Sequence, residues 1–352
     1  MNSVKIIISP KSIMALIAFV LLVIFIYHTK DVILLLFASF VIASALYPTV
    51  DWMSKRMRRG LAVGIVYFLG ILILSVLSVP FFAILIGQIR EFIQDFPKYW
   101  AHVQFLITKG EILIESTGYI PDYSRAFSDL PSISKDIVSQ SINLTVNIVA
   151  GIVMAFTLAI LVLFLLLDKE EIKKGVLLLF PIHCREKTEF IIATISKKVG
   201  GYVRGELLLM FAVGVLTSIA LAVAGIKFAF LLGLIAGLLE IVPIVGPILS
   251  AVPAIIVALA DNPWLALYVV IIYFVIQRFE NVLLTPLILG KFLELHPIII
   301  ITAVLTAGSV LGVFGVILSP AIAASIYVLV QELYLKKINS TENSDELQEA
   351  SI

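Results

Sequence analysis

Cysteine is almost missing from this sequence. Cys184 is the only one, which excludes a disulfide framework and a cysteine metal cluster. Charge is scarce as well. Only 14% of the 352 residues are Asp, Glu, Lys or Arg, where a soluble domain carries about 25%. The net charge of +1 leaves no basic field that would attract nucleic acid. No GxxxxGK[ST] loop is present to cradle ATP. HExxH, GxSxG and a paired-aspartate motif are missing too, which argues against an intramembrane enzyme. No cofactor motif is found.

What remains is apolar. Hydrophobic residues make up 61% of the chain, and the mean hydropathy is +1.11. A soluble fold could not bury that much apolar surface, so the expected class is an all-α polytopic membrane protein whose first partner is the lipid bilayer. Runs long enough to span fall at 12–28, 31–50, 61–87, 144–167, 205–225 and 264–284. Two more, 228–260 and 297–335, are too long. As one helix the second would reach roughly 58 Å, against a hydrocarbon core of about 30 Å. About eight hydrophobic segments are therefore expected, two of them broken. The first segment has no small-residue cleavage site after it and reads as an uncleaved helix rather than a signal peptide.

Basic residues orient the chain. The stretch KRMRRG at 55–60 and the loop 168–204, with Lys169, Lys173, Lys174, Arg185, Lys187, Lys197, Lys198 and Arg204, belong in the cytoplasm. Lys336 and Lys337 place the C-terminus there, and the N-terminus follows. The expected organisation is N-terminal membrane helices over 1–87, a small helical extracytoplasmic region over 88–143, and a membrane helix with a basic loop over 144–204. A transport core follows over 205–335, and a polar tail over 336–352 ends the chain as a disordered cytoplasmic segment. In 88–143, Ile89, Phe92, Ile93, Phe96, Trp100, Val103 and Leu106 recur at helical spacing, with Pro97 expected to bend or interrupt the helix. Glu186–Val199 reads as an amphipathic surface helix.

The stretch LLEIVPIVGPILSAVPA, Leu238 to Ala254, places Glu240 beside Pro243, Gly246, Pro247 and Pro253 inside an apolar run. Broken backbone in a bilayer is tolerated only where protein or a wet cavity satisfies the freed groups, and intramembrane acids mark function. GPILSAVPAII at Gly246–Ile256 resembles GVILSPAIAA at Gly315–Ala324, which suggests a repeat over 205–260 and 264–335. Each broken stretch is either a kinked spanning helix or a re-entrant hairpin; two opposed hairpins would make an inverted repeat, a transporter plan. QRFENVLLTP at Gln277–Pro286 puts Gln277, Glu280 and Asn281 on one polar face, lining a pathway or standing in water at the helix end. Arg204 and Glu206 read as interfacial, Lys227 as snorkelling, and His296 as a loop residue. The candidate substrate- or ion-binding residues are Glu240, Pro243, Gly246, Gln277, Glu280, Asn281, Gly312, Gly315 and Pro320.

The motifs R-G-E at Arg204–Glu206, P-I-V-G-P at Pro243–Pro247, Q-R-F-E at Gln277–Glu280, P-L-I-L-G at Pro286–Gly290, H-P at His296–Pro297 and G-V-F-G-V-I-L-S-P at Gly312–Pro320 resemble the autoinducer-2 exporter (AI-2E) family. The resemblance covers nearly the whole chain and is most specific from 200 to 330. It implies a homo-oligomeric, pentameric transporter of the bacterial or archaeal cytoplasmic membrane. It also implies a small-molecule or cation substrate: export of autoinducer-2, or sodium(lithium)/proton antiport.

Overall fold

A computed structural model describes residues 10–115, 141–243, 245–290 and 295–335. Among them every regular element is helical. The helices are α1 (Pro10–His28), α2 (Lys30–Ser54), α3 (Arg59–Glu115), α4 (Ser141–Leu167), α5 (Lys169–Leu178), α6 (Ile182–Val223), α7 (Ala229–Leu239) and α8 (Val245–Asp261). Then come α9 (Pro263–Phe279), a π turn (Glu280–Leu284), α10 (Thr285–Leu289), α11 (Pro297–Val330) and a closing π turn (Gln331–Leu335). Four of these runs are long and apolar enough to cross a membrane: α2, α6, α9 through α10, and α11 with its π turn. A fifth joins them if α4 and α5, bent by 85°, count as one. Among the described residues four or five helices therefore meet that test, which shows part of the eight expected segments. Two of the others, α7 and α8, would reach only about 17 and 26 Å, short of a core of about 30 Å.

Hydropathy windows also end where helices do not. One helix, α3, runs through positions 87 and 88 and past Pro97 to Glu115. Another, α6, joins the amphipathic stretch 186–199 to the apolar run that follows and reaches about 63 Å. The tail 336–352, much of the outer region (116–140) and Lys291 lie outside the described residues.

Both overlong stretches are broken, and in both the chain doubles back. Pro243 lacks the N–H that would continue α7. Val242 N and Gly246 N close the turn onto Leu239 O (3.0 Å) and Val242 O (2.9 Å). Gly246 is buried against the Leu239 carbonyl, so α8 starts beside the end of α7. The far ends of the stretch meet as well. Lys227 Nζ lies 3.7 Å from Asp261 Oδ1, and Ala229 and Leu232 of α7 share a core with Val257 and Ala258 of α8. Lys227, expected to snorkel, is thus paired. Gly225 (φ 74°) and Phe228 (φ 60°) turn the chain out of α6, and the Phe228 ring packs edge-on against Phe92 of α3 at 5.7 Å.

The second break is Gly312, at φ 65° and ψ −150°. The chain reverses there: a Cβ on Gly308 would stand 2.9 Å from Val316 Cγ2, and one on Gly315 would overlap the Ala307 carbonyl. The two arms face each other across an apolar cleft of about 670 Å³ running from Ile298 to Val330. Lys30 Nζ reaches the Val310 carbonyl near the break (3.4 Å), one of the groups such a reversal must satisfy. No heavy atom surrounds the Gly312 Cβ position, so Gly312→Ala meets no clash. It meets a backbone conformation open essentially to glycine. The variant should be destabilised by about 1–3 kcal/mol, seen as a lower thermal midpoint in detergent; an unchanged midpoint would mean the turn relaxes without strain.

At the basic end of the bundle, Asp51 ties three elements together. Its carboxylate accepts from Arg59 (2.9 Å) at the start of α3 and from Lys169 (2.7 Å) at the start of α5. Arg59 Nε also donates to Leu166 O at 2.6 Å, near the end of α4.

Candidate functional site

A cavity of about 520 Å³ lies where α6, the α7–α8 break and the α9–α10 junction meet. From α6 come Tyr202, Glu206 and Leu209; from the break come Glu240, Pro243, Pro247 and Ile248. Gln277, Glu280, Asn281, Thr285, Pro286, Leu289 and Gly290 follow along α9 and α10, and Leu295 and Ile300 complete the wall.

Three carboxyl groups from three separate elements line this space. Glu206, Glu240 and Glu280 are 8%, 5% and 6% exposed. All three share the wall of this one cavity, near enough for their charges to be felt by one another. Among the described residues no Lys, Arg or His lines it. A buried carboxylate without a counter-charge is costly. The cluster therefore calls for a proton or a cation. Among the described residues no three His, Cys, Asp or Glu side chains are grouped to hold a metal ion.

Local sequence places each group. Glu280 opens the π turn, whose Thr285 N–H bonds back to the Glu280 carbonyl. Pro286 follows and has no N–H to offer, which favours a widened turn there. Within that turn Gln277 Nε2 donates to Glu280 Oε2 (2.9 Å), and Thr285 Oγ1 stands 3.5 Å from Glu280 Oε1. Glu240 caps the end of α7, and Pro243 and Gly246 hold it at the break. Two buried polar atoms of cavity residues have no hydrogen-bond partner among the described residues: Glu240 Oε2 and Tyr202 Oη, the latter beside Glu206.

Of the expected residues, Glu240, Pro243, Gln277, Glu280 and Asn281 come together on this cavity, and Gly246 lies behind it as a packing contact. Glu280 is buried rather than standing in water at a helix end. Gly312, Gly315 and Pro320 do not line the cavity. Gly312 turns the second hairpin, Gly315 packs its arms, and Pro320 is fully buried within it. The wall receives Ile300 from that hairpin instead. His296 caps α11, accepting from Ile298 N at 3.3 Å. Tyr202 and Glu206 were missed as site residues. Their i, i+4 spacing on one face of α6, with an acid at the edge of an apolar run, was the available signal.

The chain is similar to known proteins over most of its length. The chain is 29% identical over 315 residues to YueF of Bacillus subtilis, covering 85% of this chain and 84% of that protein. It is 27% identical over 312 residues to YrrI of the same organism, covering 85% and 86%. It is 24% identical over 302 residues to YhhT of Escherichia coli K12, covering 84% and 82%. All three are named, provisionally, as transport proteins. The family model described as AI-2E family transporter matches residues 14–335. With nearly its whole length matched, this chain belongs to the AI-2E transporter family.

Proposed function

We propose that this chain is an ion-coupled secondary transporter of the cytoplasmic membrane that exports a small polar solute, with autoinducer-2 as the expected example. The observation that carries the reading is the convergence of Glu206, Glu240 and Glu280 on one cavity of about 520 Å³. That volume suits a small solute, and the amides of Gln277 and Asn281 offer donors and acceptors to it. The carboxyls carry the coupling ion. In this reading the stretches 228–260 and 297–335 are re-entrant hairpins entering from opposite faces. The meeting of Lys227 with Asp261 supports the first, and the reversal at Gly312 supports the second. Both termini lie in the cytoplasm, as the basic segments 55–60 and 168–204 suggest. The working form is a homo-oligomer, expected to be a pentamer, which crosslinking in native membranes would count.

The carboxyl cluster also favours a second reading, in which the cargo is itself a cation and the reaction is sodium(lithium)/proton antiport. One experiment separates the two. Purified protein is placed in liposomes, a sodium gradient is imposed, and internal pH is followed for wild type and Glu240→Gln. Sodium-driven proton movement that vanishes in the variant establishes antiport through Glu240. No proton movement in either protein removes antiport, and efflux of labelled autoinducer-2 then tests the export reading.

A further inference from the structure

A second cleft, of about 440 Å³, lies apart from the transport cavity at the basic end of the bundle. It opens between the C-terminal end of α2, the 85° bend from α4 into α5, and the first half of α6. Its lining is mixed. Phe40, Leu165 and Ile192 give it apolar lining among the membrane-length helices, while Lys169, Lys173, Lys197 and Arg204 are among its charged lining residues. The bend turns α5 away from the axis of α4, as a helix at a membrane surface would run.

The charges do not balance. The cleft also contains Asp51, Glu170 and Glu189, but each already has a base: Asp51 has Arg59 and Lys169, and the two glutamates share Lys173. Among the described residues, Lys197 and Arg204 have no carboxylate within ion-pair distance, and Arg204 Nη1 donates to the Ala45 carbonyl at 2.9 Å. They lie seven positions apart on α6, two turns along one face. Lys197 and Arg204 are thus left without a carboxylate partner in a cleft that also presents apolar side chains.

We infer that this cleft binds the phosphate of an anionic phospholipid, with Lys197 and Arg204 on the phosphate and an acyl chain against Phe40 and Leu165. Basic pockets between membrane helices suit such head groups because electrostatic attraction and acyl burial act on the same ligand. The site is independent of what the transport cavity carries. A bound lipid would brace α2, α5 and α6 beside the stretch of α6 that holds Tyr202 and Glu206.

The full chain, purified in detergent and stripped of lipid, should gain thermal stability when phosphatidylglycerol is titrated into the micelles. Phosphatidylcholine should give little. Lys197→Gln should move the phosphatidylglycerol midpoint about fivefold higher, the effect of one Lys or Arg near a charged surface. Arg204→Gln also loses the Ala45 contact and can fail to fold, so the exposed Lys197 carries the test. Lys174→Gln removes the same charge outside the cleft and should leave the midpoint in place. An equal shift in Lys174→Gln would overturn the site in favour of diffuse surface charge. If glycerol phosphate in solution gave the same saturating gain, the ligand would be a soluble phosphate, and the lipid assignment would fall.

Discussion

Gly246→Ala is expected to leave almost no folded, transport-competent protein. A Cβ at this position would overlap the carbonyl oxygen of Leu239 and stand 2.6 Å from its carbonyl carbon. Both neighbours are backbone, so no side chain can swing aside. Relief requires α8 to move off the end of α7 at the turn that holds Glu240 on the cavity. The loss should be at least about 3 kcal/mol, the range where packed backbone must shift. The measurement is the yield of monodisperse protein in detergent with its thermal midpoint, followed by flux in liposomes. Gly175→Ala in α5 is the matched control: nothing lies within 4 Å of its Cβ position, and it should be neutral or gain up to about 1 kcal/mol in helix propensity. If Gly246→Ala behaved like this control, the close approach of α7 and α8 would be refuted.

The second large effect is in the carboxyl pair. Glu240→Gln and Glu280→Gln should each lower coupled flux by about 100-fold or more, the low end of what loss of a proton-transferring group costs. The double variant should be little worse than either single one. Groups that share one ion act as a unit, and their losses do not add. At Glu280 the substitution can keep the bond from Gln277 through the new amide oxygen, so the loss there reads the carboxyl group rather than that bond. Initial rates in liposomes for the four proteins give the cycle. Two losses that simply multiply would mean that the carboxyls work independently. Wild-type rates in both single variants would remove the cluster from the mechanism. Each variant also needs its thermal midpoint measured, because removing one buried charge relieves the others and should not unfold the protein.

Much of this was legible in the residues, for a reason specific to membrane proteins. Backbone in a bilayer has no water to bond, so a break has to be written into the sequence as Pro or Gly, and Pro243, Gly246 and Gly312 stand at or beside the observed breaks. An acid in an apolar run is equally conspicuous, which is how Glu240 and Glu280 were found. Helix boundaries were less legible. Hydropathy changes where the solvent changes, but α3 and α6 continue as helices beyond that point because their backbone bonds are satisfied either way.

The sequence by itself determined the helical membrane class, the two breaks and the polar face of Gln277, Glu280 and Asn281, because these depend on local chemistry and spacing. Tertiary structure alone decided which of those features share a site. It brought Tyr202 and Glu206 of α6 to the cavity, left Gly312, Gly315 and Pro320 in a separate hairpin, and joined Lys227 to Asp261. The physical reason is that apolar helices all want burial, and hydropathy does not say against which neighbour. That choice is made by the fit of side chains and close backbone contacts between elements far apart in the chain, such as Gly233 and Gly237 of α7 against α6.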